Sequence, residues 1–188
     1  MKEIILASAS PRRKELLGQL FETFTVIPSG AEEIITDMDP YETVCALAKS
    51  KAEWVAERHP GAVVIGADTM VYLGKAPLGK PKDTDEAREM LNMLSGKAHQ
   101  VYTGVCVISG GKTLTDAECT DVHFAKLSAE EIERYLETNE SSDKAGAYGI
   151  QGYAARFVER IDGCYFNVVG LPIRKLYPML DALNENIF

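Results

Sequence analysis

A two-glycine step, Gly110-Gly111, separates two long runs of strand character, Gln100 to Ile108 and Leu114 to Phe124, and it limits the fold more than any other feature of the chain. Successive glycines accept the positive φ angles of a tight hairpin turn, so the flanking strands must return antiparallel. Elsewhere the chain passes directly from strand to helix. Ile4 to Ala7 has strand character, and Ser10-Pro11 supplies an N-cap and a first helical residue for a helix to about Leu20. Phe24 to Ile27 reads as a second strand, Asp39-Pro40-x-Glu42 as a capping box opening a long helix to about Arg58, and Ala62 to Gly66 as a buried strand ending at Ala67-Asp68-Thr69. Met70 to Leu73 with Gly74 suggests a hairpin reaching Gly79-Lys80-Pro81. Asp83-Thr84-Asp85-Glu86 opens a helix that stops at Gly96, and Ser128-x-x-Glu131 caps another to about Thr138. Phe157 to Ile161, an Asp162-Gly163 turn and Tyr165 to Val169 read as a further hairpin, and Pro172 begins the last helix. Hairpins and strand-to-helix passages in one chain predict an α/β fold of the α+β mixed-sheet kind, flanked by helices, not a strictly parallel doubly wound sheet.

At 188 residues the expectation is a single domain spanning 1–188, long enough to bury a core. A net charge of −8 argues against a general nucleic-acid binder, which needs a basic face to displace counterions. Any polyanionic ligand must therefore meet a local concentration of Lys and Arg. Cys45, Cys106, Cys119 and Cys164 are widely spaced, without zinc-ligand spacing, and read as reduced core residues. The apolar run Ile4 to Ala7 is too brief for a signal peptide or a membrane span, so a cytoplasmic chain without a membrane partner is expected.

Such a concentration of cations occurs at Ser8-Ala9-Ser10-Pro11-Arg12-Arg13-Lys14, where three positive side chains crowd the first turn of a helix whose dipole is already positive there. Either the turn is merely basic and solvated, or an anion binds it, with N–H groups, the Ser8 and Ser10 hydroxyls and two guanidinium groups converging on phosphate oxygens. Asp68, at the end of an apolar run, is placed to hold a divalent ion or orient a water, or simply to cap a turn. Glu32 and Glu33, after Ser29-Gly30, offer a second carboxylate for Mg²⁺ or Mn²⁺, or form a solvated acidic turn. Lys51 stands on the apolar stripe of Val44, Leu47, Ala48 and Val55, where a lysine packs its stem and lets its ammonium snorkel outward. Gly79-Lys80-Pro81 presents a lysine suited to a phosphate, although such turns are common. In Asp143 to Gly152, three glycines let the backbone approach a ligand while Lys144, Tyr148 and Gln151 offer charge, ring and amide. The loop is neither a Walker motif nor GxGxxG. His59, His99 and His123 lack the partners of a triad or a zinc site.

Taken in order, Ser8-x-Ser10-Pro11-Arg12-Arg13, Gly66-Ala67-Asp68-Thr69, Gly79-Lys80-Pro81, Asp143 to Gly152 and Val169-Gly170-Leu171-Pro172 resemble the motifs of the Maf family of nucleoside triphosphate pyrophosphatases. The resemblance implies an inosine-triphosphatase-like fold, an elongated mixed sheet with two lobes around a nucleotide cleft, commonly as a homodimer. It implies the reaction of a triphosphate with water to give monophosphate and pyrophosphate, a house-cleaning role, with a divalent metal as cofactor. It also makes Asp68 the proton acceptor and metal ligand, Glu33 a second metal ligand, and Ser8, Arg13, Lys51, Lys80 and Lys144 the phosphate-side residues. That moves Lys51 from the core to the site. At three places where the family's branches differ, this chain reads Arg12, Thr69 and Gln151, similar to the branch that cleaves dTTP and UTP; modified pyrimidine nucleotides fall within the same expectation. A uracil or thymine edge shows an N–H between two carbonyls, which the Gln151 amide can match. The branch acting on 7-methyl-GTP typically carries an aromatic, Gln and Glu there. Two rivals stand beside the hydrolase: a nucleotide-binding regulator without turnover, for instance in septum formation, and a nucleotidyltransferase using the same basic residues.

Overall fold

Five of the turn and capping signals in the sequence do the work their chemistry suggests. The computed structural model describes residues 2–34 and 38–183. Gly110 and Gly111 take φ of 56° and 78° and join β5 (Ala98–Ser109) to β6 (Lys112–Phe124). The Ser10 hydroxyl accepts from the Arg13 amide at the start of α1 (Pro11–Leu17), and Asp39 accepts from the Tyr41 and Glu42 amides at the start of α2 (Pro40–Ala56). Asp83 accepts from the Glu86 amide to open α3 (Thr84–Leu94), and Ser128 and Glu131 form a reciprocal capping box on α4 (Ala129–Leu136).

Among the described residues seven strands form one sheet. Its order is β2-β1-β3-β5-β6-β7, with β4 on β3, where β1 is Ile4–Leu6, β2 Thr25–Val26, β3 Val63–Leu73, β4 Ala76–Leu78 and β7 Val158–Asp162. β1 is parallel to β2 (Leu6 opposite Val26) and to β3 (Leu6 opposite Ile65). The β3–β4 and β6–β7 pairs are antiparallel, so the sheet is mixed, as the hairpin and crossover signals together require.

By contact density the chain divides into two compact units, one of Met1–Asp68, Thr103–Glu118 and Gly170–Phe188, the other of Thr69–Tyr102 and Cys119–Val169. In the first, α2 lies directly on strand backbone. A Cβ added at Gly66 would stand 2.4 Å from the Ala48 carbonyl oxygen, and one at Gly104 would stand 2.1 Å from that of Val44. Val44, Ala48 and Ala52 succeed one another at the four-residue spacing of one helix face and are all fully buried. Ala48 and Ala52 pack with Ile5, Ala7, Val64 and Cys106. In the second unit the core is aromatic: Phe124 meets His99, Tyr148 and Phe157 edge to face, and Tyr135 meets Phe157.

Two segments depart from expectation. β3 does not end at Ala67-Asp68-Thr69 but continues to Leu73, so Asp68 sits in mid-strand rather than at a strand end. A carboxylate is tolerated there because Lys51 meets it. Tyr165–Val169 is the short helix α5 and not the second arm of a hairpin. Its ring and valine side chains favour strand, but burial of one amide decides the matter. Asn167 donates to the Val101 carbonyl at 2.9 Å and to the Thr120 hydroxyl at 2.9 Å, while the Cys164 amide donates to the same hydroxyl at 3.0 Å. The final helix, α6 (Ile173–Asp181), begins just after Pro172 as expected.

Candidate active site

The first unit gathers six of the residues singled out in the sequence. The chain leaves β1 through Ala7, whose amide donates to the Ile65 carbonyl at 2.8 Å, and turns at Ser8 into α1. Ser8 is buried, and its hydroxyl accepts from the Ser10 amide at 3.3 Å and from Arg13 Nη1 at 3.1 Å. Arg13 Nε donates to the Gly170 carbonyl at 2.8 Å. The guanidinium is thus held by both ends of the unit's sequence, which sequence reading missed because Gly170 lies 157 residues away. Burial lowers the Arg13 pKa from its ordinary value, opposed by the carboxylates of Asp68 and Glu33 and reinforced by Arg12. An arginine remains cationic throughout.

In the same unit, Lys51 bridges two carboxylates. Its ammonium is paired with Asp68 and lies 2.6 Å from Glu33 Oε1. The side chains of Lys51 and Asp68 are 15% and 10% exposed and that of Glu33 is 60% exposed, so the bridge runs from interior to surface. The backbone-on-backbone approach of α2 to Gly66 is what lets Lys51, next to Ala52, reach a carboxylate two residues further along β3.

Glu33 is brought in by a contact with no sequence signature. Gly30 lies flat against the Trp54 indole, where a Cβ would come 2.8 Å from Cζ2, and Arg58 covers a Trp54 ring at 3.8 Å from its centroid. Trp54 follows Lys51 by three residues on α2, so the helix that presents the ammonium also docks the loop carrying Glu33. Gly30→Ala is expected to displace the ring, cost about 1 kcal/mol and shift the emission of Trp54. Because the chain holds a single tryptophan, the fluorescence spectrum reads this contact alone.

The oxygen donors of Asp68 and Glu33 converge on one positive charge, the position a hard divalent cation would take. No group of three or more His, Cys, Asp or Glu side chains able to hold a metal occurs among the described residues. Two carboxylate side chains are a donor set that fits Mg²⁺ or Mn²⁺, which bind through one or two carboxylates with other oxygens completing the shell.

The second unit holds Thr69, Lys80, Lys144 and Gln151. Lys80 is exposed and makes no ion pair among the described residues. The Gly146 amide donates to the Gly79 carbonyl at 3.0 Å, so the loop Asp143 to Gly152 is tied to the turn that carries Lys80. Lys144 spends donors inside its own loop, on the Glu140 carbonyl at 2.5 Å and Asp143 Oδ1 at 2.7 Å. Glu140 also accepts from the Tyr153 amide at 3.0 Å, clamping both ends of the loop, another role no local motif announces. The Gln151 side chain is half-buried and its amide makes no hydrogen bond among the described residues. Inside the loop, Gly146 and Ala147 take φ of 68° and 61°. For alanine that costs of order 1–3 kcal/mol.

Next to Ala147, Tyr148 is buried with its hydroxyl 2.7 Å from His99 Nε2. Burial, with a smaller contribution from His123, pulls the His99 imidazole down to about 4 from an ordinary 6.5. The folded protein thus keeps His99 neutral where the unfolded chain has begun to bind a proton. Its contribution to stability is full above pH 6.5 and is lost as pH falls toward 4, by about 3 kcal/mol. Urea unfolding at pH 7 and pH 4.5 should show most of this loss, and His99→Phe should reduce the difference between the two pH values by about 2 kcal/mol.

Comparisons with known proteins agree with one another. The family described as Maf-like protein matches residues 3–183. A protein of Bacillus cytotoxicus named dTTP/UTP pyrophosphatase is 54% identical over 94% of this chain and 93% of its own length. Proteins of the same name from Bacillus cereus and Pyrococcus furiosus are 51% identical over 100% of this chain and 98% of the relative's own length, and 50% identical over 96% and 95% respectively. Among solved structures, the Staphylococcus aureus Ham1 protein superposes with a TM-score of 0.55 over 96% of this chain and 99% of its own, at 17% identity. That likeness concerns the fold alone, and it bears out the inosine-triphosphatase-like mixed sheet. With the family's pattern running from Glu3 to Leu183 and about half of its residues shared with such relatives, this chain belongs to the Maf family.

Proposed function

We propose that this protein is a nucleoside triphosphate pyrophosphatase that cleaves dTTP and UTP, and modified pyrimidine relatives, to the monophosphate and pyrophosphate. The observation that carries the reading is the Lys51 bridge between Asp68 and Glu33, set in the same unit as the Ser8–Arg13 strap. Relatives sharing half their residues and named for this reaction support it.

Arg13, already oriented by Ser8 and the Gly170 carbonyl, meets phosphate oxygens with little rotamer freedom left to lose. Ser8 and Arg12 assist it, and Lys51 and Lys80 neutralise the chain of phosphates. Lys144 joins them with the one donor that the Glu140 carbonyl and Asp143 leave it. Asp68 accepts a hydrogen bond from the attacking water, aligns it on the α-phosphorus and takes its proton. Asp68 and Glu33 also hold Mg²⁺ or Mn²⁺, which when bound supplies charge neutralisation to the triphosphate and the departing pyrophosphate. Arg12, Thr69 and Gln151 select the base, the Gln151 amide pairing donor to carbonyl and acceptor to ring N–H. The enzyme acts in the cytoplasm as a homodimer; no helix among the described residues is long and apolar enough to cross a membrane. The family match over nearly all of the chain supports a single functional domain.

The test is a panel assay of pyrophosphate release with Mn²⁺ across UTP, dTTP, CTP, ATP, GTP and 7-methyl-GTP. UTP and dTTP should lead. Absence of pyrophosphate from UTP sinks the hydrolase, and a lead for 7-methyl-GTP sinks the role given to Gln151.

A further inference from the structure

The second unit contains a polar pair that the reaction above does not use. His99 and Tyr148 are 2% and 5% exposed, and their side chains are enclosed by Phe124 in a three-ring cluster with centroid separations of 4.9, 5.3 and 4.7 Å. Their one mutual bond, Nε2 to hydroxyl at 2.7 Å, leaves His99 Nδ1 buried with no hydrogen-bond partner among the described residues. Whichever ring nitrogen carries the proton, one side of the imidazole is unsatisfied. An apolar pair would fill this core at lower cost, so an unsatisfied buried imidazole calls for a reason beyond packing.

That reason lies one residue before Tyr148. Ala147 holds a left-handed conformation disfavoured for any side chain, directly after left-handed Gly146. Gly146 is in turn wedged against Val71, where a Cβ would lie 3.1 Å from Cγ1, and its amide is bonded to Gly79. The strained pair Gly146-Ala147 is therefore pinned on one side to the turn bearing Lys80 and on the other, through Tyr148, to His99. Gln151 follows three residues later.

We propose that His99 and Tyr148 are positioning residues: their buried bond locks the Gly146-Ala147 turn and so fixes the place of Gln151 relative to Lys80. This rests on the reading of Gln151 and Lys80 as base-side and phosphate-side residues. A bond to the Tyr148 hydroxyl specifies where the ring stops, which an apolar contact does not, and the backbone on either side inherits that setting.

The test compares wild type with Tyr148→Phe and with the double variant Tyr148→Phe/His99→Phe. In Tyr148→Phe, the ratio of kcat/KM for UTP over CTP should fall about tenfold, mainly through a higher KM for UTP. Amide exchange of the peptide spanning 145–151 should accelerate by about tenfold. The double variant, with no orphaned imidazole, should recover the melting temperature but neither the base ratio nor the slow exchange. Unchanged exchange and an unchanged ratio in Tyr148→Phe would overturn the proposal, and so would recovery of the ratio in the double variant, which would reduce the pair to packing. If wild type itself releases no pyrophosphate from UTP, the functional reading fails, while the exchange measurement still judges the lock.

Discussion

Asp68→Asn should lower pyrophosphate release from UTP by about 10²–10⁴-fold while UTP binding measured without divalent metal is retained. Asparagine keeps the shape of the side chain and can still accept from Lys51, which retains Glu33 as a second partner at 2.6 Å. What is lost is an anionic acceptor able to take a proton from water. The fold should survive, because the substitution removes a charge from a mostly buried strand instead of adding one. Single-turnover release measured beside equilibrium binding separates the outcomes. Full activity would remove Asp68 from the chemistry, whereas loss of binding and release together would make it a residue of ground-state recognition.

Gly104→Ala should destabilise the protein strongly. The new Cβ would lie 2.1 Å from the Val44 carbonyl oxygen, 2.4 Å from its carbon and 2.8 Å from the Cys45 nitrogen, all backbone atoms that no rotamer can move aside. Relief requires α2 to lift from the sheet, at a cost of about 3 kcal/mol or more, or roughly 10 °C in melting temperature for a chain of this size. Activity should fall further than stability alone explains, since lifting α2 withdraws Lys51 from Asp68 and Trp54 from Gly30. Gly111→Ala is the contrasting control: no atom lies within 4 Å of its Cβ, and only the φ of 78° is opposed.

Local chemistry made much of this fold legible. Ser10, Asp39, Asp83 and Ser128 cap the helices they precede because each bond spans only two or three residues. Gly110-Gly111 turns for the same reason. Reading failed where a distant partner overrules local preference. Tyr165–Val169 has the side chains of a strand, yet Asn167 finds its bonds 66 and 47 residues away and the segment coils. Asp68 looked like a strand end because a carboxylate interrupts an apolar run, and only Lys51, 17 residues earlier, explains its burial. In the candidate site, Ser8, Arg13 and Lys51 carried signals of charge or periodicity. Gly30, Trp54, His99 and Glu140 carried none, since each acts by holding another residue and a supporting role has no motif.

The Lys51 ammonium seated between Asp68 and Glu33 gives the site the character of an ion exchanger. Its carboxylates already possess a counterion, so a divalent cation held by them as proposed must displace that ammonium. A triphosphate changes that balance by offering the displaced lysine a new anion in the same event. Metal and nucleotide then favour each other's uptake by equal factors, as reciprocal linkage demands. Free divalent ion, titrated without nucleotide, should bind weakly, and the protein should take up its metal as part of its substrate.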